Sequence, residues 1–153
     1  MSGLYYEELE PDLVIKHDVT RTVTETDNLL FTTLTMNVQP LHLDAEFAKN
    51  SPYGQRIVNS VFTLGVVVGI PVAETTLGTT LGNLGFEEIS FPAPVLIGDT
   101  LRVETQILSR RESKSNPKTG IVRFEHRGFN QDGKQVCLVR RSGLMSKRPQ
   151  ETN

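Results

Sequence analysis

A single cysteine, Cys137, excludes any intramolecular disulfide in this 153-residue chain and favours a reducing compartment. Cys137 stands among Val136, Leu138 and Val139, which reads as core packing; a nucleophile wants a histidine or a helix terminus beside it. Neither sign of charge dominates. Sixteen Lys and Arg against eighteen Asp and Glu give a net charge of −2, without the basic footprint of a nucleic-acid binder. Cysteine, histidine and carboxylates nowhere fall at metal-ligand spacing, and no glycine-rich phosphate loop follows a strand, so neither a metal nor a bound cofactor is expected. Long apolar runs are missing as well. The most apolar stretch, Val61 to Ala73, is broken by Thr63, Gly65, Gly69 and Pro71 and is too short to span a bilayer. The start, "MSGLYYEELEPD", lacks the basic and apolar regions of a signal peptide. A soluble, cytoplasmic protein is expected, with neither nucleic acid nor membrane as partner. There is no internal repeat and no low-complexity linker. The length fits one domain, residues 1–153, able to bury a core without staples. The polar tail, residues 148–153, is expected to fray.

What is present is a readable order of elements. His17 to Thr24 alternates polar and β-branched residues, as a strand does. Thr24 to Thr35 reads as a short helix capped by Thr24 or Thr26, with Asp27 in its first turn and an apolar stripe of Leu29, Leu30 and Leu34. Pro40 ends any continuation, and Asp44 caps a small helix, "AEFAKN", anchored by Phe47. Ile57 to about Thr76 has strand-like propensity but the length of a helix. The expectation is a long buried helix, apolar nearly all round, with Gly65 and Gly69 on one face and Pro71 near its end. "LGTTLGNLG", Leu77 to Gly85, reads as a turn region. Leu84 to Phe91, Thr100 to Glu112, Gly120 to Asn130 and Gln135 to Met145 read as strands, the last two joined at Asp132-Gly133. The architecture expected is α+β: an antiparallel curved sheet wrapped around the long helix. Such a sheet has open edges that must be paired or covered, so a homodimer or an assembly of dimers is expected.

Three segments carry a resemblance: "TMNVQPLHLD" (Thr35 to Asp44), "YGQRIVNSV" (Tyr53 to Val61) and "FPAPVLIGDTL" (Phe91 to Leu101). In order and spacing they resemble the MaoC-like dehydratases, or R-specific enoyl-CoA hydratases, of the hot-dog fold. That family's segments run close to S-G-D-x-N-P-L-H-x-D, F-G-x-x-I-A-H-G-M and F-x-x-P-V-x-x-G-D-x-L. The resemblance covers roughly Val19 to Met145 and implies a short acyl-CoA thioester as substrate, with CoA part of the substrate rather than a cofactor. Carried over by position, the family's catalytic Asp and His fall on Asn37 and His42. Its Asn before the Pro becomes Gln39. The Gly whose N–H holds the thioester oxygen becomes Ser60, and the His before it becomes Asn59. Arg56, close to the helix start, is the best-placed cation for the CoA phosphates.

Hydration of an enoyl-CoA needs a base for water, a proton for the α-carbon and donors for the oxygen that gains charge. An imidazole at His42 suits the proton transfers. The helix N-terminus at Asn59 and Ser60 suits the oxygen, since a backbone N–H survives the change from Gly to Ser. Asn37 is the departure, because an amide only donates and accepts hydrogen bonds. Three readings stay open: His42 carries both proton steps while Asn37 positions water, a carboxylate such as Asp44 or Glu88 replaces the missing one, or the site binds an acyl-CoA without hydrating it. A hot-dog thioesterase ranks last, since no carboxylate stands near that helix. The joint change to Asn37 and Gln39 favours branched dicarboxylic substrates of the mesaconyl-CoA or β-methylmalyl-CoA type, which suit neutral donors better than a further anion. His17 and His126 have no partner motif and read as structural.

Overall fold

The computed structural model describes residues 3–150. A 3₁₀ turn, Tyr6–Glu8, precedes strands β1 (Val14–Lys16) and β2 (Arg21–Thr22). Helices α1 (Glu25–Leu34), α2 (Pro40–Leu43), α3 (Ala45–Lys49), α4 (Ser60–Gly69) and α5 (Val72–Thr75) follow. Four long strands complete the chain: β3 (Thr80–Ser90), β4 (Thr100–Glu112), β5 (Thr119–Phe129) and β6 (Gln135–Ser146). The sheet is antiparallel in the order β1-β4-β5-β6-β3, and β2 also pairs with β4.

Alternation decides which face is inside. On β4, Leu101, Val103, Thr105 and Ile107 are buried, while Arg102, Glu104 and Gln106 point the other way. One apolar cluster joins Val67 of α4 to Leu101, Val103, Val136, Cys137 and Val139 of the sheet. A second forms where Tyr6 and Leu9 lie over Ile107, Val122, Phe124 and Met145. Gly128 lets α4 approach, since a Cβ there would stand 2.5 Å from a Val67 methyl. The hairpin between β5 and β6 turns at Gly133, with φ +75°.

Several expected elements are corrected. Of the strand expected from His17 to Thr24, only Arg21–Thr22 is strand, and β1 lies just before that range. Lys16 faces Glu104 and Arg21 faces Leu101, so five steps on this side span three on β4 and the extra residues loop out. The long helix ends at Gly69, and α5 restarts after Pro71, where the ring removes a donor. It is buried on one face only. Val61 is 55% exposed, and the face holding Gly65 and Gly69 meets nothing within the described chain. The leucine stripe of α1 points outward, with Leu30 and Leu34 exposed, while Asn28 and Thr32 are fully buried because they hydrogen-bond the neighbouring segments. Phe47 is half-exposed, and the small Ala48 fills the inner position of α3 instead. The glycine-rich "LGTTLGNLG" is mostly strand. Gly78 turns the chain at φ +73°, and Gly82 and Gly85 sit where the β3–β6 register shifts, as glycine does at bulges. Within the tail, Arg148 is held by Glu7 and Glu8 rather than frayed; residues 151–153 lie outside the described residues.

The end of α1 aims the next loop. Met36 N–H donates to Thr33 O and Asn37 N–H to Thr32 O, both at 3.0 Å, with Met36 at φ +57°. This Schellman closure normally uses glycine. The left-handed conformation costs a residue with a Cβ roughly 1–2 kcal/mol, and the exposed Met36 side chain gives little packing in return. After glycine's larger unfolded-state entropy, Met36→Gly is expected to stabilise the protein by about 0.5–1 kcal/mol. A lower midpoint in urea denaturation would contradict this.

Candidate active site

Asn37 opens a tight polar loop. Its Oδ1 accepts the Gln39 N–H at 3.0 Å, an Asx turn that leaves the amide Nδ2 as the free end. Gln39 itself is exposed, and its own side chain caps nothing at the start of α2. Pro40 starts α2 at the position where a missing N–H does no harm. His42 follows in that short helix and is half-buried. Asp44 ends α2 and caps α3, accepting the Phe47 N–H at 3.0 Å.

The second part of the site is the start of α4. Asn59 is the N-cap, and its Oδ1 accepts the Val61 N–H at 3.0 Å. Ser60 begins the helix on the exposed side, and among the described residues its N–H has no partner. That free donor lies at the positive end of the helix dipole. Ser60 borders a pocket of about 220 Å³ whose walls include Tyr53, Ile57, Thr63, Phe91 and Val136. Among the described residues, no carboxylate lines it.

The third segment locks the second in place. Val58 N–H donates to Val95 O at 2.8 Å, beside an isolated bridge between Ile57 and Leu96. Gly98, at φ +97°, donates its N–H to Val23 O, and Asp99 accepts the Leu96 N–H at 2.9 Å. The Gly-Asp of "FPAPVLIGDTL" is therefore a structural knot that ties the pocket wall to the start of α1.

Loop and helix start meet directly. His42 Nδ1 lies 2.9 Å from Ile57 O. A carbonyl only accepts, so the ring proton resides on Nδ1 and Nε2 carries a lone pair. Asn28, which sequence reasoning missed, donates from Nδ2 to His42 O at 3.0 Å and accepts the Asn59 N–H at 2.9 Å. Thr32, one turn further along α1, accepts from Asn59 Nδ2 at 3.3 Å. Their i, i+4 spacing was the available signal, but the adjacent leucines masked it.

The other carboxylates near these segments are engaged elsewhere. Glu88 accepts from Arg140 at 2.9 Å, and Glu25 accepts from Arg56 at 2.6 Å. Arg56 keeps a half-buried position in a surface recess of about 370 Å³ that Lys49 also lines. His17 and His126 lie away from the site, in a buried polar chain that crosses the sheet interior. Cys137 is fully buried, and burial pushes its thiol up to about 12, which leaves it inert. Among the described residues, no cluster of His, Cys, Asp and Glu is arranged to hold a metal, and no helix is long and apolar enough to cross a membrane.

Comparison with known proteins bears on the family and the fold. A family model described as a MaoC like domain matches residues 8–129. A mesaconyl-CoA hydratase of Cereibacter sphaeroides is 31% identical over 96% of this chain and 42% of its own length. A β-methylmalyl-CoA dehydratase of Chloroflexus aurantiacus is 30% identical over 95% of this chain and 41% of its own. The chain thus spans less than half the length of these two relatives. A MaoC-like dehydratase structure from Rhodospirillum rubrum superposes with a TM-score of 0.83 at 28% identity, covering 96% of this chain and 99% of that one. At 18% identity, a Mycobacterium tuberculosis protein with a double hotdog fold superposes with a TM-score of 0.85, over 99% of this chain and 46% of that one. The fold is the hot-dog fold, an α+β arrangement, and by its sequence and its structure the chain belongs to the MaoC-like domain family.

Proposed function

We propose that this domain interconverts a short enoyl-CoA and its 3-hydroxyacyl-CoA, with His42 as the acid/base. One observation carries the reading: the His42 ring is oriented by Ile57 O through Nδ1, which leaves Nε2 free to take a proton. In hydration, Nε2 removes a proton from water as the oxygen bonds to the β-carbon. The double-bond electrons move onto the thioester, whose oxygen is held by the Ser60 N–H at the start of α4. The proton on Nε2 then passes to the α-carbon, so one water is added and the imidazole is restored. Asn37 contributes a neutral donor, Nδ2, to the water or hydroxyl, because its Oδ1 is occupied by Gln39. Asp44 and Glu88 are committed elsewhere, which favours His42 carrying both proton steps.

The substrate class proposed is a branched dicarboxylic acyl-CoA, of the type named for the two relatives. The amides of Asn37 and Gln39 support it, and so does the Ser60 pocket, which neither of them lines and which has no carboxylate among its described lining residues, since an added anion would repel the substrate's free carboxylate. The recess holding Arg56 and Lys49 offers positive charge for the CoA phosphates, in competition with Glu25. A homodimer is part of the same reading. The edge strand β3 exposes Leu81, Leu84, Phe86 and Ile89, and the open face of α4 adds Val61. The double hotdog fold of the M. tuberculosis protein supports pairing of two such units.

A panel of enoyl- and 3-hydroxyacyl-CoAs, followed by double-bond absorbance and by free thiol, tests the activity. Hydration without thiol release is expected. Thiol release would mean a thioesterase, and binding without either change would mean an acyl-CoA-binding protein. Asn37→Asp is expected to raise crotonyl-CoA hydration and weaken binding of the dicarboxylic esters, raising their KM several-fold, roughly the 1 kcal/mol of one repulsive charge near a surface. Unchanged selectivity between the two ester classes would remove the substrate assignment. Sedimentation should give twice the 17.0 kDa chain mass.

A further inference from the structure

We infer that Asn28 is the positioning residue that holds His42 and the Ser60 N–H in one geometry. The inference rests on the proposed role of His42 and extends it to a side chain that touches no substrate. Asn28 sits in α1 and is fully buried. Both ends of its amide are used: Nδ2 donates to His42 O at 3.0 Å, and Oδ1 accepts the Asn59 N–H at 2.9 Å. One small side chain thus spans the two halves of the site, which are 17 positions apart in sequence. Asn59 is the cap that presents the free Ser60 N–H, and it is gripped a second time by Thr32 at 3.3 Å. His42 is likewise held a second time, by Ile57 O at 2.9 Å. The distance from the proton-transferring nitrogen to the oxygen-binding N–H is therefore set by fixed hydrogen bonds from a helix rather than by the mobility of a loop.

The chemistry of the position requires an amide. A carboxylate accepts from Asn59 N–H but repels the His42 carbonyl. A leucine of similar volume leaves a buried donor and a buried acceptor unpaired. A neutral carboxylic acid does what the amide does, accepting through its carbonyl and donating through its hydroxyl.

Asn28→Leu and Asn28→Asp test this with three measurements: kcat and KM, the thermal midpoint, and the ¹⁵N spectrum of the His42 ring. Asn28→Leu is expected to lower kcat about 10- to 100-fold with KM nearly unchanged, the size of effect a displaced catalytic group produces. The His42 ring should lose its single Nδ1–H tautomer. Asn28→Asp is expected to regain activity relative to Asn28→Leu as pH falls and the new carboxyl becomes neutral. Thr32→Val, which removes only the second grip on Asn59, should give a smaller loss of the same kind and serves if Asn28→Leu does not fold. A lowered thermal midpoint with wild-type kcat and an unchanged His42 spectrum would overturn the inference, leaving Asn28 a packing residue. If the unaltered protein hydrates no acyl-CoA, the proposed function fails. The His42 spectrum of the variants then still decides whether Asn28 positions the ring.

Discussion

Replacing His42 with glutamine is expected to lower kcat for enoyl-CoA hydration by about 10²–10⁴-fold, the usual contribution of a general acid/base. Glutamine keeps a donor for Ile57 O and roughly the length of the ring, so α2 and its contacts should survive. It has no titratable group, so both proton steps lose their carrier. KM should change little, because the proposed mechanism gives the thioester oxygen to the Ser60 N–H and the acyl group to the pocket walled by Tyr53 and Phe91, which His42 does not line. The size of the loss also separates the readings of Asn37. If His42 carries both steps, the variant falls to the background set by the oxygen-binding donor and proximity alone. If a carboxylate elsewhere shares the work, the pH profile keeps an acidic limb after His42 is gone. A loss of less than tenfold, in a variant with a wild-type thermal midpoint, would remove His42 from the mechanism.

The sequence made the meander legible because its signals are local. Alternation along Thr100–Glu112 and the Asp132-Gly133 turn need no tertiary context. The cap at Asp44 was legible for the same reason, as was the one at Thr24 as one of two candidates, each being a short polar side chain before a helical run. The faces of α1 and α4 were not. Hydrophobicity points the leucines of α1 inward, but one inward hydrogen bond donated by Asn28, one accepted by it and one accepted by Thr32 turn the helix so that Leu30 and Leu34 face out. Burying unpaired amides would cost more than exposing leucines. In α4 an apolar composition all round implied full burial, whereas this chain covers one face and leaves Val61 open. At the candidate site, the resemblance pointed to Asn37, His42, Asn59 and Ser60, yet the side chain that links His42 to Asn59 sits in α1, outside all three segments of the resemblance.

Stability is expected to fall steeply with pH below about 6.5, and His126→Gln is expected to flatten that fall. His126 is fully buried in a chain of hydrogen bonds. Arg141 Nε–H donates to His126 Nε2 at 2.9 Å, and His126 Nδ1 meets Thr105 Oγ1 at 2.8 Å. Thr105 Oγ1 in turn meets His17 Nε2 at 2.8 Å, and His17 Nδ1 bonds Glu74. An Arg N–H cannot accept, so Nε2 of His126 is unprotonated and its proton is on Nδ1, pointing at Thr105. Protonating the ring would break the bond from Arg141 and set two cations face to face in the core. Burial first, then the Arg141 charge and His17, accordingly hold His126 well below the usual histidine range. In the unfolded chain the same imidazole binds a proton below about 6.5. As pH drops under that value the unfolded state takes up a proton that the folded state refuses. The contribution of His126 is complete above about 6.5 and is lost through the window below it, by up to about 1.4 kcal/mol per pH unit. Denaturant unfolding between pH 8 and pH 5 measures this, above the range where carboxylates such as Asp27 and Glu87, both lowered, begin to titrate. His126→Gln retains an acceptor for Arg141 and cannot titrate. It should lower stability at pH 8, through imperfect packing against Phe124, yet lose little more down to pH 5. If the variant and the unaltered protein lose stability in parallel across that window, the buried ring is not the group that titrates.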